Sequence, residues 1–431
     1  MFALVEWSLA IIAAAVLLVA AFSRVLVGTP VTPAMVFVSL GLLLGPKVLD
    51  GVDLSNSSSG VRTLAEASLT LVLFCDAARI DLRELRSEFG VPVRLLGIGL
   101  PLTIALGALV AGLVFDQVTL GEAVILGVIL APTDAALGQA VVTDPRVPSR
   151  IRQGLNIESG LNDGICVPLL FAAIATADIE SDISNGHGAI TLLVEEIGYG
   201  LLGGVVAAIV LAGILTVAGR RNLIAPAWMR MIPVAGAALA YGVAAPLDGS
   251  GFIAAFSGGL IFRALLRRDP AEENALAEEI GSVLSGVTFL LFGAILLGPG
   301  LADVSWQIVL YALLSLTVVR VLPVVLAMIG SGARVPTLAF LGWFGPRGLA
   351  SIVFAVILIQ ESQLPHEHLL TVATYLTVGV SVLAHGVSAA PLARRYGSWY
   401  DGHPPGQAPI MESAPAVVTR GRHSGSLDGS R

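Results

Sequence analysis

The sequence predicts an all-α polytopic membrane protein: about 13 transmembrane helices forming an inverted repeat with two discontinuous crossing helices. Three observations predict it. Hydrophobic residues fill 55% of the 431 positions and charged ones only 13%, with a mean hydropathy of +0.87, and a soluble domain of this length needs more charge to cover its surface. Apolar runs of about 18 residues or more recur along the chain, each long enough to cross roughly 30 Å of hydrocarbon as a helix. Two of these runs are interrupted by Pro beside a charge, APTDA at 131–135 and FGPRG at 344–348.

The runs divide at loop signals into spans 3–23, 30–46, 61–78, 91–115, 121–143, 155–178, 190–218, 228–247, 250–266, 278–300, 305–329, 336–360 and 368–392. The first has no basic segment before it and carries Glu6, so it reads as a retained helix and not as a secretory signal. Each later span is justified by what bounds it. Arg24 follows the first; Arg79, Arg83, Arg86 and Arg94 lie in or beside the connection between the third and fourth; Arg146, Arg150 and Arg152 lie between the fifth and sixth. Arg220, Arg221 and Arg230 separate the seventh and eighth, Arg263, Arg267 and Arg268 close the ninth, Arg334 divides the eleventh from the twelfth, and Arg394 and Arg395 follow the last. The intervening connections, LDGVDLSNSSSG, FDQVTLGE, ADIESDISNGHG, PLDGSG, PGLADVSW and QESQLPHEHL, are polar, and Lys47 and Arg62 are nearly the only cations there. This alternation sets the basic connections in the cytoplasm. An odd helix count then puts the N-terminus outside and the C-terminus inside, in a multi-pass protein of the cell membrane.

After Arg395 the composition turns rich in Gly, Pro and Ser, which predicts a membrane domain over 1–395 and a disordered cytoplasmic tail over 396–431. Within the membrane domain Pro132 and Pro346 lie 214 residues apart (346 − 132 = 214). The same offset maps the third span onto the tenth and the sixth onto the thirteenth. Because it crosses seven helices, halves over about 1–180 and 228–395, joined by a linking helix at 190–218, would have opposite topology. Inverted repeats with paired broken helices are a transporter construction.

Other chemistry finds little support. Cys75 and Cys166 both lie in apolar runs, as core residues do, so neither a disulfide framework nor a thiolate metal site is expected. The net charge of −7 indicates no nucleic-acid partner. HEH at 366–368 lies in an external loop beside Pro365 and reads as solvated. Nucleotide-binding glycine patterns and HExxH are missing where they would count. No cofactor is expected.

The ionisable residues that stand out as intramembrane candidates are Asp76, Asp134, Glu158, Asp163, Arg320 and Arg347. A carboxylate in the middle of a span costs at least ~2.5 kcal/mol, which marks such groups as functional candidates. Asp134 follows Thr133 at the first interruption, where unpaired carbonyls and a hydroxyl supply oxygen ligands; it could equally cap a half-helix. Ser159 precedes Asp163 by one helical turn, so hydroxyl and carboxylate share a face. Two carboxylates, a Ser oxygen and broken-helix backbone make a hard oxygen site, suited to a small alkali cation. Desolvation favours a protonated carboxyl and a bound cation favours the carboxylate, so proton and metal ion compete for one site. Asp76 lies three residues before Arg79, and interfacial and ion-binding roles both fit it. Glu158 and Asn162 are one turn apart, and Arg320 is the intramembrane cation available to Glu158. A buried Glu158–Arg320 pair, with Asn162 bonded to it, would hold the helix of Asp163. Arg347, at the second interruption, either holds the crossing open electrostatically or satisfies free carbonyls.

These residues resemble the monovalent cation:proton antiporters, in the branch holding bacterial NhaP-type proteins and animal sodium/proton exchangers. The likeness rests on APTDA, ESGLNDG (158–164), FxDAxxxDLREL from Phe74, VVRVLP and FGPRG, and covers roughly residues 1–395. It implies a six-helix core moving against a dimerisation domain, a homodimer, and exchange of Na+, Li+ or K+ for H+ by alternating access, in the service of pH homeostasis. By the resemblance Asp163 is the main ion and proton carrier, Asp134 and Thr133 sit at the crossing, Ser159 is a ligand, and Glu158–Arg320 is a structural pair. Asn162, where the electrogenic branch has Asp, implies electroneutral exchange. The chain has Ala135 where the family often has Pro, and Asp76 where Glu is usual. Two other classes remain: an intramembrane aspartyl protease, whose Tyr-Asp and Gly-x-Gly-Asp motifs do not occur at Asp134 or Asp163, and a passive cation channel, which would move no protons.

Overall fold

The computed structural model describes residues 2–26, 29–46, 58–80, 90–134, 137–180, 186–266, 271–362, 364–403 and 409–413. In chain order the helices are α1 (Phe2–Leu26), α2 (Pro33–Leu44), α3 (Ser58–Arg79), α4 (Val91–Val114), α5 (Leu120–Ile129), α6 (Gln139–Val142), α7 (Ser149–Glu180) and α8 (Gly186–Arg220). They continue as α9 (Met231–Ala244), α10 (Gly251–Leu265), α11 (Ala271–Leu291), α12 (Trp306–Ala327), α13 (Val335–Trp343), α14 (Leu349–Glu361), α15 (Glu367–Asp401) and α16 (Ile410–Ser413). No strand occurs among the described residues. Helix is the economical solution for apolar runs in lipid, since it satisfies each backbone group within its own segment.

Helix occupies every predicted span. Seven helices among the described residues are long and apolar enough to cross a membrane on length and composition alone, and five more are shorter and apolar. Two of the short ones, α5 and α14, flank the predicted interruptions. α5 starts at Thr119, whose hydroxyl accepts the Glu122 N–H while Glu122 accepts the Thr119 N–H, a reciprocal cap. It stops at Ile129 because Pro132 has no N–H to continue the ladder and disfavours helix at Ala131. α13 stops at Trp343 ahead of Gly345 and Pro346 for the same reason. The offset of 214 holds well beyond the two prolines: added to α4, α5 and α7 it gives 305–328, 334–343 and 363–394, which are the places of α12, α13 and α15.

Packing sorts the helices into two groups. α4, α5, α7, α12, α13, α14 and α15, with the short α6, pack on one another, and their buried side chains include Leu126, Ile129, Val167, Leu170, Val353 and Phe354. α8, α9, α10, α3, α11 and α2 make the other group. α3 and α10 also touch α7, and α3 touches α14, so the boundary between the groups runs past the middle of α7. Small residues make that approach close. A Cβ on Gly259 of α10 would run into the Phe74 carbonyl of α3, and one on Gly164 of α7 into the Phe256 ring.

The predicted alternation of connections is visible as two ends. At one end Arg94 Nη1 donates to the carbonyls of Ala327 (3.3 Å) and Ile329 (2.7 Å), and Gly397 packs on Arg146. At the other, Tyr241 reaches Glu66, Ser250 N–H donates to the Glu196 carbonyl, and His366 meets Glu122. Cys75 and Cys166 are buried core residues.

Three expectations are corrected. The HEH stretch is only half solvated, for His366 is held by Glu122, which accepts its backbone N–H and lies 2.9 Å from Nδ1, whereas His368 is exposed near Asp303. α7 begins at Ser149 and not at 155: the Pro148 carbonyl accepts the N–H groups of Ile151 and Arg152, so the helix starts in the polar turn ahead of the apolar run. The tail does not begin at 396: α15 continues to Asp401, and α16 folds back so that Met411 and Glu412 are buried. Glu412 accepts from Arg334 N (3.0 Å) and Thr337 Oγ1 (2.6 Å), and Arg150 Nη1 donates to the Met411 carbonyl (3.1 Å). The rest of the expected tail, Ala135, the DLREL run at 81–85, and Lys47, Arg267 and Arg268 lie outside the described residues, as does the Arg62 side chain.

Candidate ion-binding site at the helix crossing

The two interruptions meet. Ala131–Asp134 and Phe344–Gly348 are both non-helical, and the Asp134 N–H donates to the Pro346 carbonyl at 2.8 Å. Each unwound stretch leaves carbonyls at one helix end and N–H groups at the next, all of which must find partners inside the protein. Side chains supply most of them. Ser351 Oγ donates to Ile129 O (2.7 Å); Arg347 Nη1 donates to Ala131 O (2.8 Å) and Pro132 O (3.1 Å); the Ser159 hydroxyl donates to Thr133 O in a short contact. Of the two roles open to Arg347, satisfying free carbonyls is the one the geometry supports.

Asp134 serves the N–H side. Its Oδ2 accepts from Leu349 N at 2.9 Å, the first residue of α14, and its Oδ1 accepts from Leu137 N at 3.3 Å ahead of α6. One carboxylate thus caps both half-helices and sits at the positive ends of both dipoles, a favourable place for a negative charge. The fit is tight: a Cβ on Gly348 would overlap the Asp134 carboxylate. Gly348→Ala is therefore expected to push Asp134 off Leu349 and lower transport roughly tenfold or more, from about 1–3 kcal/mol of overpacking, which a vesicle flux assay with matched protein amounts would detect.

Glu158 and Arg320 form the predicted pair as a two-pronged contact, Nη1–Oε1 2.5 Å and Nη2–Oε2 2.9 Å, with both side chains buried. Asn162 does not join it. Its Nδ2 donates to Thr133 Oγ1 at 2.7 Å, because one turn along α7 from Glu158 the helix faces the first unwound stretch and not α12. Ser159 and Asn162 together therefore hold Thr133 by its carbonyl and its hydroxyl.

Asp163 lies one turn beyond Ser159, 8% exposed, and its Oδ1 is buried without a hydrogen-bond partner. Its electrostatic neighbours are the carboxylates of Asp134 and Asp76. Asp76 comes to the site from α3: a Cβ on Gly160 would lie 3.4 Å from the Asp76 Cβ, so the two backbones approach closely on the ESGLND face. Arg79 is 3.5 Å from Asp76 but bonds chiefly to Glu278. A cavity of about 20 Å³, room for one water, adjoins the crossing and is lined by Thr133, Asp134, Ser159, Leu155, Phe344 and Pro346. The structure thus brings Thr133, Asp134 and Ser159 to one cavity at the crossing, with Asp163 one turn beyond Ser159 and Asp76 against Gly160, and with Glu158, Arg320, Asn162 and Arg347 around it. No cluster of three or more His, Cys, Asp or Glu arranged to hold a metal occurs among the described residues. The oxygens available are those of carboxylates, hydroxyls and carbonyls.

Residues 10–395 match the family model of the transmembrane sodium/hydrogen exchangers. The chain belongs to the sodium/hydrogen exchanger family. Among family relatives it is similar to the K(+)/H(+) antiporter NhaP of Alkalimonas amylolytica, 25% identical over 376 residues that cover 85% of this chain and 62% of that one. It is also similar to a Na(+)/H(+) antiporter of Schizosaccharomyces pombe, 28% identical over 263 residues, 56% of this chain and 55% of that one. The chain thus spans 62% of the length of the first relative and 55% of the second. In fold it is similar to the sodium proton antiporter MjNhaP1 of Methanocaldococcus jannaschii, with a TM-score of 0.72 at 18% identity over 89% of this chain and 99% of that one. The exchanger fold with its crossed, broken helices is therefore established for this chain.

Sequence reasoning missed Ser351, Ser381 and His385. Ser381 Oγ accepts the Arg347 N–H at 2.7 Å, and His385 is buried beside it. A signal was present, since His385 is an ionisable residue inside the last predicted span, one turn after a serine.

Proposed function

We propose that the protein is a secondary transporter that exchanges a monovalent cation for H+ by alternating access, one for one, with Asp163 carrying either the cation or the proton. The observation that carries this reading is the Asp163 carboxylate: buried, with an unpartnered oxygen, beside Asp134 and Asp76, where two helices are broken. Such a group must be neutralised, and a proton and an alkali cation are the two species that can do so reversibly. Thr133, Ser159 and the carbonyls of the break stand as further oxygen ligands, and Asn162 in place of a second carboxylate supports an electroneutral cycle. Na+, Li+ and K+ are all candidate cargo; the relatives' names divide between K(+) and Na(+).

In this reading residues 1–395 form the antiporter domain, whose α4–α7 and α12–α15 group moves against the rest. The N-terminus lies outside the cell membrane and the C-terminus in the cytoplasm, where the cations Arg94, Arg150 and Arg334 gather. The family resemblance supports a homodimer and a role in pH homeostasis.

The test is reconstitution in vesicles with a trapped pH dye, adding Na+, Li+ and K+ in turn. A cation-dependent internal pH change is expected, with a rate unaltered when valinomycin and K+ set the membrane potential. Cation flux with no proton movement would favour a channel. Rates that follow the potential would refute one-for-one exchange.

A further inference from the structure

The second unwound stretch is held from behind by a part of the protein that contributes nothing to the ion-binding oxygens. His385 on α15 is buried, with Nε2 3.0 Å from the Trp343 carbonyl, the last residue of α13. Its Nδ1 is 3.1 Å from Ser381 Oγ and also 3.0 Å from the Ser381 carbonyl of the preceding turn. Ser381 Oγ in turn accepts the Arg347 N–H at 2.7 Å. One assignment of protons satisfies the hydroxyl and both ring nitrogens: Nε2–H donates to Trp343 O, Nδ1 accepts the Ser381 hydroxyl proton, and that hydroxyl accepts from Arg347 N. The indole of Trp343 adds to this, lying against the imidazole with ring centroids 5.1 Å apart and donating Nε1–H to Ser388 Oγ at 2.9 Å.

We propose that Ser381 and His385 are positioning residues that fix the second unwound stretch at both of its ends. Between the two anchored groups, Trp343 O and Arg347 N, lie Phe344, Gly345 and Pro346. Pro346 O accepts the Asp134 N–H, and just past the second anchor Leu349 N–H caps onto the Asp134 carboxylate. Arg347, whose backbone the serine holds, places its guanidinium on the carbonyls of Ala131 and Pro132. Four hydrogen bonds between the two breaks thus depend on where residues 343–347 sit. A stretch with Gly on one side of its Pro and Gly348 two residues on has little rigidity of its own, so the hydrogen bonds from α15 supply it. The geometry of Thr133 and Asp134, and through them the cation's oxygen cage, follows from this strap on the opposite side of the crossing.

The inference rests on the transport reading for its functional consequence and on geometry for its structural one, and the two are tested separately. In the intact protein, His385→Phe keeps the ring and its stacking but removes both polar contacts, and Ser381→Ala removes the hydroxyl. Ser381→Thr and His385→Gln are the conservative partners, which retain a hydroxyl and a side-chain donor with acceptor. Hydrogen–deuterium exchange is expected to rise about tenfold for amides in 343–350 in H385F and S381A, as loss of one or two hydrogen bonds implies, with peptides of α8 and α9 unchanged. In vesicles the half-saturating cation concentration is expected to rise about tenfold for the same variants, and to recover in S381T and H385Q. Mere loss of folded protein would lower the maximal rate without moving that concentration. Unchanged exchange in 343–350 overturns the strap, and so does a wild-type half-saturating concentration in H385F. If the unmodified protein moves no protons with any cation, the transport reading fails, and the amide exchange alone decides whether the strap exists.

Discussion

Replacing Asp163 by Asn is expected to abolish cation-driven proton movement in vesicles while leaving the protein folded. The change keeps the shape of the side chain, and Asp163 accepts no structural hydrogen bond through Oδ1 that the amide would lose. What disappears is the charge. Two unit charges about 4 Å apart interact by ~4 kcal/mol at an effective dielectric of 20, so the amide should weaken cation binding about a thousandfold. It also leaves no group to carry the proton. Flux measured with a pH dye, beside a melting curve in detergent, separates the two effects. Wild-type flux in D163N would move the carrier role to Asp134 or Asp76.

The same competition sets the sign of the pH dependence. Where the carrier carboxyl is mostly protonated, each unit fall in pH should raise the half-saturating cation concentration about tenfold, because one proton must leave for each cation that binds. Where it is mostly ionised, that concentration should be flat. A slope of two decades per unit would mean that a second carboxyl, with Asp134 and Asp76 the candidates, is discharged along with Asp163. Asp144, in the connection before α7, gives a contrast. Arg146 beside it, at 2.6 Å, holds its carboxyl below the usual range.

How much of this was legible in the sequence differs between the fold and the site. The apolar spans and both interruptions were legible because lipid imposes a length and Pro imposes a break, and each is a local property of the chain. The Glu158–Arg320 pair was legible as well, for two buried opposite charges seek each other and the spans hold few of either sign. Asn162 was not. Its neighbour across space depends on how α7 is rotated against the unwound stretch, and a spacing of four residues fixes the turn but not the facing. Asp134 shows the same limit. Its position at a break was plain, but that it would cap α14, a helix more than 200 residues on, depends on the two halves interlocking. Ser381 and His385 act entirely by that tertiary placement.

Glu158→Gln is expected to destabilise the protein more than any other single change at the site. Arg320 is 4% exposed, and its two terminal nitrogens both bond to Glu158. The remaining contact, Nη2 to Leu341 O at 3.5 Å, is too long to replace them, and Nε is buried without a partner. Removing one member of a buried pair costs about 3–5 kcal/mol, since the other charge stays desolvated and unpaired. Replacing both by apolar residues of similar size removes the unpaired charge as well as the bond. E158L combined with R320M should therefore melt closer to the wild type than E158Q alone, and a melting series in one detergent would show it. The pair also has a positional task that such a double change cannot supply. A Cβ on Gly345 would overlap the Arg320 guanidinium, so the guanidinium fills the space against the second unwound stretch. Glu158, on the same turn of α7 as Ser159, ties that contact to the helix that holds Thr133. The double variant is thus expected to regain stability and still exchange slowly. Full exchange in it would reduce the pair to a structural brace, and wild-type melting in E158Q would refute even that.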